Sequence, residues 1–140
     1  MSVTIKPGAK CPCHSGKSYR ECCQLVHRDP RAARAPEAMM RSRYSGFALG
    51  LVDHLVATIH PTHRDAAVGA IALRASIAES ARNHKYTGLT VLEASEEGDR
   101  ATVTFHARVF ARGKDVSFDE RSTFLREDGV WLYAVGEELS

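Results

Sequence analysis

A chain of 140 residues, 44% of them hydrophobic, has material for one medium-sized domain and an appendage. No stretch approaches the about 18 uninterrupted apolar residues of a membrane span, and the opening MSVTIKPGAK lacks the apolar run of a signal peptide. No membrane role is therefore expected, and the reducing cytoplasm is the expected compartment. The net charge is only +2 but unevenly spread: residues 1–34 carry seven Lys and Arg against two acidic residues, whereas residues 65–140 carry nine against thirteen. That polarity permits a weak acidic or nucleic-acid partner, set against the commoner reading of a solvated basic linker.

All four cysteines fall within residues 11–23, CPCHSGKSYRECC. Two pairs, Cys11/Cys13 and Cys22/Cys23, flank an eight-residue loop in which Ser15, Gly16 and Ser18 let the chain fold back on itself. Such a set suits one tetrahedral ion, because zinc takes four thiolates at about 2.3 Å and a site with every position filled is structural. Disulfides and unpaired thiols are the competing readings. Neighbours such as Cys22 and Cys23 would close a strained ring. Cross-pairing of Cys11 or Cys13 with Cys22 or Cys23 stays sterically open in an oxidising compartment, and His14 is an alternative fourth ligand.

This stretch resembles the SEC-C motif, the zinc knuckle at the carboxyl end of the bacterial SecA translocation motor. The resemblance implies that Cys11, Cys13, Cys22 and Cys23 hold one structural zinc, with Cys23 standing where the SecA version has His. It also puts His14 where Gly is usual, a mildly costly substitute if the backbone there is left-handed.

Residues 1–28 are read as the knuckle and 29–35 as a linker, since Asp29-Pro30 breaks a helix and Arg31, Ala33 and Arg34 show no sustained apolar period. A second unit, 36–140, opens with Pro36-Glu37, a helix start, after which Met40, Tyr44, Phe47 and Leu51 recur on one face. Gly50 is expected to break this helix before a short one over 52–59, stopped by Pro61. A third helix is expected over 65–83 with Val68, Ile71, Ala72 and Ala75 toward one face. Strands follow around Leu89 and Val91, in the alternation Ala101-Val103-Phe105-Ala107-Val109, and over 116–126 and 130–135. The expected class is α+β: the knuckle, then about three helices packed on a curved four-stranded antiparallel sheet.

PEAMMRSRYSGFALGLVDHLVATIHP and DERSTFLREDGVWLYAVGE are similar to the two signature stretches of the YchJ family of bacterial proteins. With the knuckle, the resemblance spans residues 11–137. It implies a cone-shaped domain similar to nuclear transport factor two, with a cavity between helices and bent sheet, and brings no established reaction.

A two-residue Gly113-Lys114 hairpin loop would pair Val109 with Phe118, Ala107 with Glu120 and Val103 with Phe124, which sets Glu120 on the apolar face. A carboxylate there needs a partner. Arg41 or Arg43 is the expected counterion, with Tyr44 and Ser122 nearby. The alternative is an enzyme in the cone with Glu120 as general base. His106 should face away from Phe105, and His60 should satisfy the last carbonyls of its helix. Trp131 and Tyr133 share a face, but a turn of two or three residues at Asp128-Gly129 leaves its direction open. The leading expectation is a zinc-bearing adaptor whose knuckle docks on a protein partner and whose cone has room for a small ligand. The SEC-C resemblance implies chaperone- or ribosome-associated partners, and weak nucleic-acid binding by the basic segment ranks third.

Overall fold

The computed structural model describes residues 5, 6 and 8–139. Helix α1 (Cys23–Arg28) ends where Asp29-Pro30 forbids continuation, and the chain proceeds through a 3-10 turn over Pro30–Ala32. The stretch expected as a plain linker thus has local structure, and its Ala33 is buried. Helix α2 (Pro36–Leu49) starts on Pro36 with Glu37 in its first turn and ends at Gly50, whose φ of 71° is left-handed. There the Leu51 N–H donates to Gly46 O at 2.8 Å, closing the cap. Helices α3 (Val52–Ala57) and α4 (Ala70–Asn83) follow.

Helix α2 is buried on nearly every side, not on a single stripe. Met40 and Tyr44 are buried as expected, but so are Met39, Ser42, Arg43, Ser45 and Leu49. The reason is position: α1 covers one side, while β1, β2, β5 and α3 take the others. The four-cysteine segment, Val26 and Ala33 share one apolar cluster with Met39, Val103, Phe124 and Trp131. The knuckle therefore packs into the domain's core.

The third helix departs from its expected form. Residues Arg64–Val68 make a 3-10 turn, Gly69 interrupts with a φ of 97°, and α4 turns Leu73 and Ile77 inward while Ile71 is 88% exposed. Alanine-rich helices carry a weak apolar stripe, so the two large side chains that α3 accepts decide the facing.

The sheet consists of β1 (Lys85–Glu97), β2 (Arg100–Ala111), β3 (Lys114–Asp115), β4 (Phe118–Glu127) and β5 (Val130–Leu139), ordered β1-β2-β4-β5 with the two-residue β3 also on β2. Its pairs are antiparallel, and bulges at Tyr86/Gly88, Val91/Glu93 and Thr123/Phe124 bend it. Every member of the Ala101 to Val109 alternation is buried. The hairpin turns at Arg112-Gly113, both with positive φ, one residue earlier than expected. Phe105 therefore faces Glu120, Val103 faces Ser122 and Ala101 faces Phe124. A shift of two in partner numbering preserves the face, so Glu120 still lies on the inner side.

Candidate metal centre and cone cavity

Four sulfurs converge at the amino-terminal end. The Sγ atoms of Cys11, Cys13, Cys22 and Cys23 lie within 4.8 Å of one another, with Cys13 and Cys22 at 3.6 Å and no disulfide among them. Tetrahedral zinc with bonds of about 2.3 Å requires sulfurs about 3.8 Å apart, so this donor set fits the ion. The loop between the pairs is held by the Cys11 N–H on Lys17 O at 2.9 Å and by Ser15 Oγ, 3.2 Å from Cys22 Sγ. His14 takes a φ of 64°, the left-handed conformation that favours Gly, and its ring is exposed, edge-on to Tyr44. It is not part of the sulfur cluster.

Hydrogen bonds from Cys11 and then Cys23 hold the Cys13 thiol well below the usual range. The Cys11 thiol is pushed up to about 12, chiefly by its bond to Cys13, and Cys23 is raised by its bonds to Cys11 and Cys13 and by burial. A divalent ion binds these sulfurs as thiolates, so its binding would displace their protons.

Side chains of α2 connect this centre to the cone. Arg41 Nη1 donates to Cys13 O at 2.9 Å while its Nε donates to Glu37 at 2.9 Å. His27 of α1 donates from Nε2 to Ser42 O at 2.8 Å and accepts the Tyr19 hydroxyl on Nδ1 at 2.7 Å, which fixes its neutral tautomer.

On the other side of α2 a cavity of about 930 Å³ opens between helices and sheet, lined among others by Arg43, Tyr44, His63, Phe105, Glu120 and Tyr133. Tyr44 donates to Gly88 O at 2.9 Å next to the β1 bulge, and burial pushes its phenol up to about 12. Glu120 Oε2 accepts Ser122 Oγ at 2.6 Å and Tyr133 Oη at 3.1 Å. Arg43 lies 4.9 Å over the same Tyr133 ring and donates from Nη1 to Leu55 O and Thr58 Oγ1.

The family described as "YchJ, middle NTF2-like domain" matches residues 35–136. The chain belongs to the YchJ family. A UPF0225 protein of Vibrio vulnificus strain YJ016 is 40% identical over 130 residues, 91% of this chain and 74% of that protein. A UPF0225 protein of Chromobacterium violaceum is 41% identical over 131 residues, covering 91% of this chain and 92% of its own. Among solved structures, a SEC-C motif containing protein from Rhodopseudomonas palustris superposes with a TM-score of 0.81 at 37% identity, covering 93% of this chain and 98% of that one. A second such protein, from Psychrobacter arcticus, gives 0.76 at 22% identity over 94% and 84% of the two chains, a likeness of fold.

In this YchJ-family protein the expected Arg-to-Glu bridge is absent: among the described residues Glu120 forms no ion pair. Arg41 is drawn to the knuckle, because residues 41 and 43 point about 200° apart on a helix, and Arg43 is separated from Glu120 by the Tyr133 ring. Of the expected cavity group, Arg43, Tyr44 and Glu120 line the cone and Arg41 does not. Tyr133 and His63 were missed as members of this group. The turn at Asp128-Gly129 settles the facing of Tyr133, and residues 128 and 129 both take positive φ before β5 starts at Val130. His106 faces outward onto Asp119, as expected. His60 does not cap its helix: its N–H donates to Tyr133 O and its Nδ1 accepts from the Thr62 N–H, which tie the chain after α3 to β5.

Proposed function

We propose that this YchJ-family protein is a zinc-bearing binding protein, in which a structural zinc on Cys11, Cys13, Cys22 and Cys23 braces α2 and thereby the wall of a ligand-holding cone. The observation that carries this reading is the double attachment of α2, with Arg41 on Cys13 O and Arg43 and Tyr44 against the cavity. Zinc would supply cross-linking of the knuckle, and the chain's own residues do the rest. We also propose that residues 1–28 act as a docking module in the cytoplasm. Lys10, Lys17, Arg20 and Arg28 are exposed on it and suit an acidic protein surface of the chaperone- or ribosome-associated type. Among the described residues no helix is long and apolar enough to cross a membrane.

Elemental analysis of protein purified without added metal tests the metal half: one zinc per chain is expected, and four titratable thiols without zinc would overturn it. Charge reversal at Lys17 and Arg20 tests docking, with loss of chelator-sensitive capture of a chaperone or ribosomal component expected and unaltered capture contradicting it. An enzyme with Glu120 as general base is the second reading, favoured by the absence of a cationic partner on its carboxylate. It ranks second because the nearest proton-transfer group, Tyr133, donates its proton to Glu120 itself.

A further inference from the structure

We propose that the cone cavity takes a small zwitterion: a carboxylate and an amine on one short skeleton, with an aromatic or branched apolar body. This deepens the binding role proposed above and rests on it.

Of the charged residues that line the cavity, Arg43 and Glu120 face each other's field without forming an ion pair. Arg43 is 8% exposed. A guanidinium has five N–H donors, and the two on Nη1 are used, on Leu55 O at 2.9 Å and Thr58 Oγ1 at 2.6 Å. Its Nε and Nη2 have no partner among the described residues. Arg43 is among the residues that line the cavity. Glu120 is complementary: Oε2 is occupied by Ser122 and Tyr133, whereas Oε1 accepts no hydrogen bond among the described residues. The Tyr133 ring stands between them, under the guanidinium at 4.9 Å and bonded through Oη to the carboxylate.

A fork of unused donors on one side of an aromatic spacer and an unused carboxylate oxygen on the other call for a ligand with its charges in the reverse order. Its carboxylate would bridge Nε and Nη2, the geometry that favours Arg over Lys, and its ammonium would reach Oε1. The rest of the wall is mixed, and Phe47, Leu73, Ile77, Phe105 and Phe118 give it an apolar part to receive the body. The cavity's about 930 Å³ falls among small-molecule sites, which run from about 300 to 1,000 Å³.

The test uses the full zinc-loaded chain, ¹⁵N-labelled, with three matched probes: L-phenylalanine, 3-phenylpropionate without the amine, and 2-phenylethylamine without the carboxylate. Phenylalanine is expected to move the amide signals of Arg43, Glu120, Ser122 and Gly136 saturably, with each single-charge probe at least tenfold weaker. In Glu120→Gln, phenylalanine should fall to the level of phenylpropionate, whose own binding should not change. The three-probe comparison on the unaltered chain decides the matter even if that variant does not fold. Silence of the cavity amides toward phenylalanine at millimolar concentration, or equal binding of all three probes, overturns the proposal. Zinc is measured on the same sample: a full complement with a silent cavity defeats this inference alone, whereas missing zinc defeats the reading on which it rests.

Discussion

Tyr133 donates its hydroxyl to Glu120 Oε2 at 3.1 Å directly over Gly136, where a Cβ would lie 2.1 Å from the Tyr133 oxygen and 2.7 Å from the Glu120 oxygen. The phenol and carboxylate thus occupy the space that any side chain at 136 would need.

Gly136→Ala should therefore destabilise the fold by about 1–3 kcal/mol, the usual cost of overpacking. Adding Tyr133→Phe removes the nearest obstructing atom, so the double variant should regain part of the loss, as coupled neighbours do. Urea denaturation of the four combinations measures this. Additive losses would show that the hydroxyl is not what Gly136 accommodates.

A second prediction concerns pH. His54 is buried beneath α2 with its Nε2 2.9 Å from Ser42 Oγ, and burial, followed by the charges of His27 and Arg43, pushes its pKa down to about 3. The folded value lies below the about 6.5 of an unfolded chain, so the stabilising contribution is complete above pH 6.5 and is lost as pH falls toward 3. In that window it costs up to about 1.4 kcal/mol per pH unit. Thiol protonation at the knuckle adds to acid instability, so the direct readout is the His54 ring signal by NMR. It should keep its neutral shift at pH 5, and a midpoint near 6.5 would refute the buried neutral state.

Arg41 supports the four-cysteine cluster from outside it, donating to Cys13 O at 2.9 Å while Glu37 holds its other end. Groups in that role commonly change metal affinity by about 10–100-fold. Arg41→Met should weaken zinc retention by that order in competition with a chromophoric chelator, and Arg41→Lys should restore part of it. Retention equal to the parent would make Arg41 a bystander.

Much of this was legible in the chain itself, for physical reasons that differ by element. The cysteine spacing specifies a cluster because two short pairs on one small loop can only meet each other. The alternation from Ala101 to Val109 reads directly as an inner face, and Glu120 kept its face despite a displaced turn because a two-residue shift preserves side-chain parity. The counterion was not legible. Arg41 and Arg43 are two residues apart in sequence but diverge on the helix, and Tyr133, which bonds Glu120 together with Ser122, comes from a strand whose facing depends on the turn at Asp128-Gly129. Nor could the facing of α4 be read, since Ala-rich periodicity is nearly isotropic and Leu73 and Ile77 are selected by what α3 presents to them. The division into a knuckle over residues 1–28, a linker over 29–35 and a second unit over 36–140 was the expectation most affected by packing, because a basic, aperiodic connection says nothing of a core shared through Val26, Ala33 and Met39.

The most direct test of a zinc knuckle that braces the cone wall is the amide spectrum of the full chain before and after chelation, with zinc content measured on the same sample. One zinc per chain is expected, and its removal should shift signals not only in the cysteine loop and α1 but along α2 through Arg41, Arg43 and Tyr44. Protein that contains no zinc, or changes confined to residues 8–28 with α2 unmoved, would contradict the account.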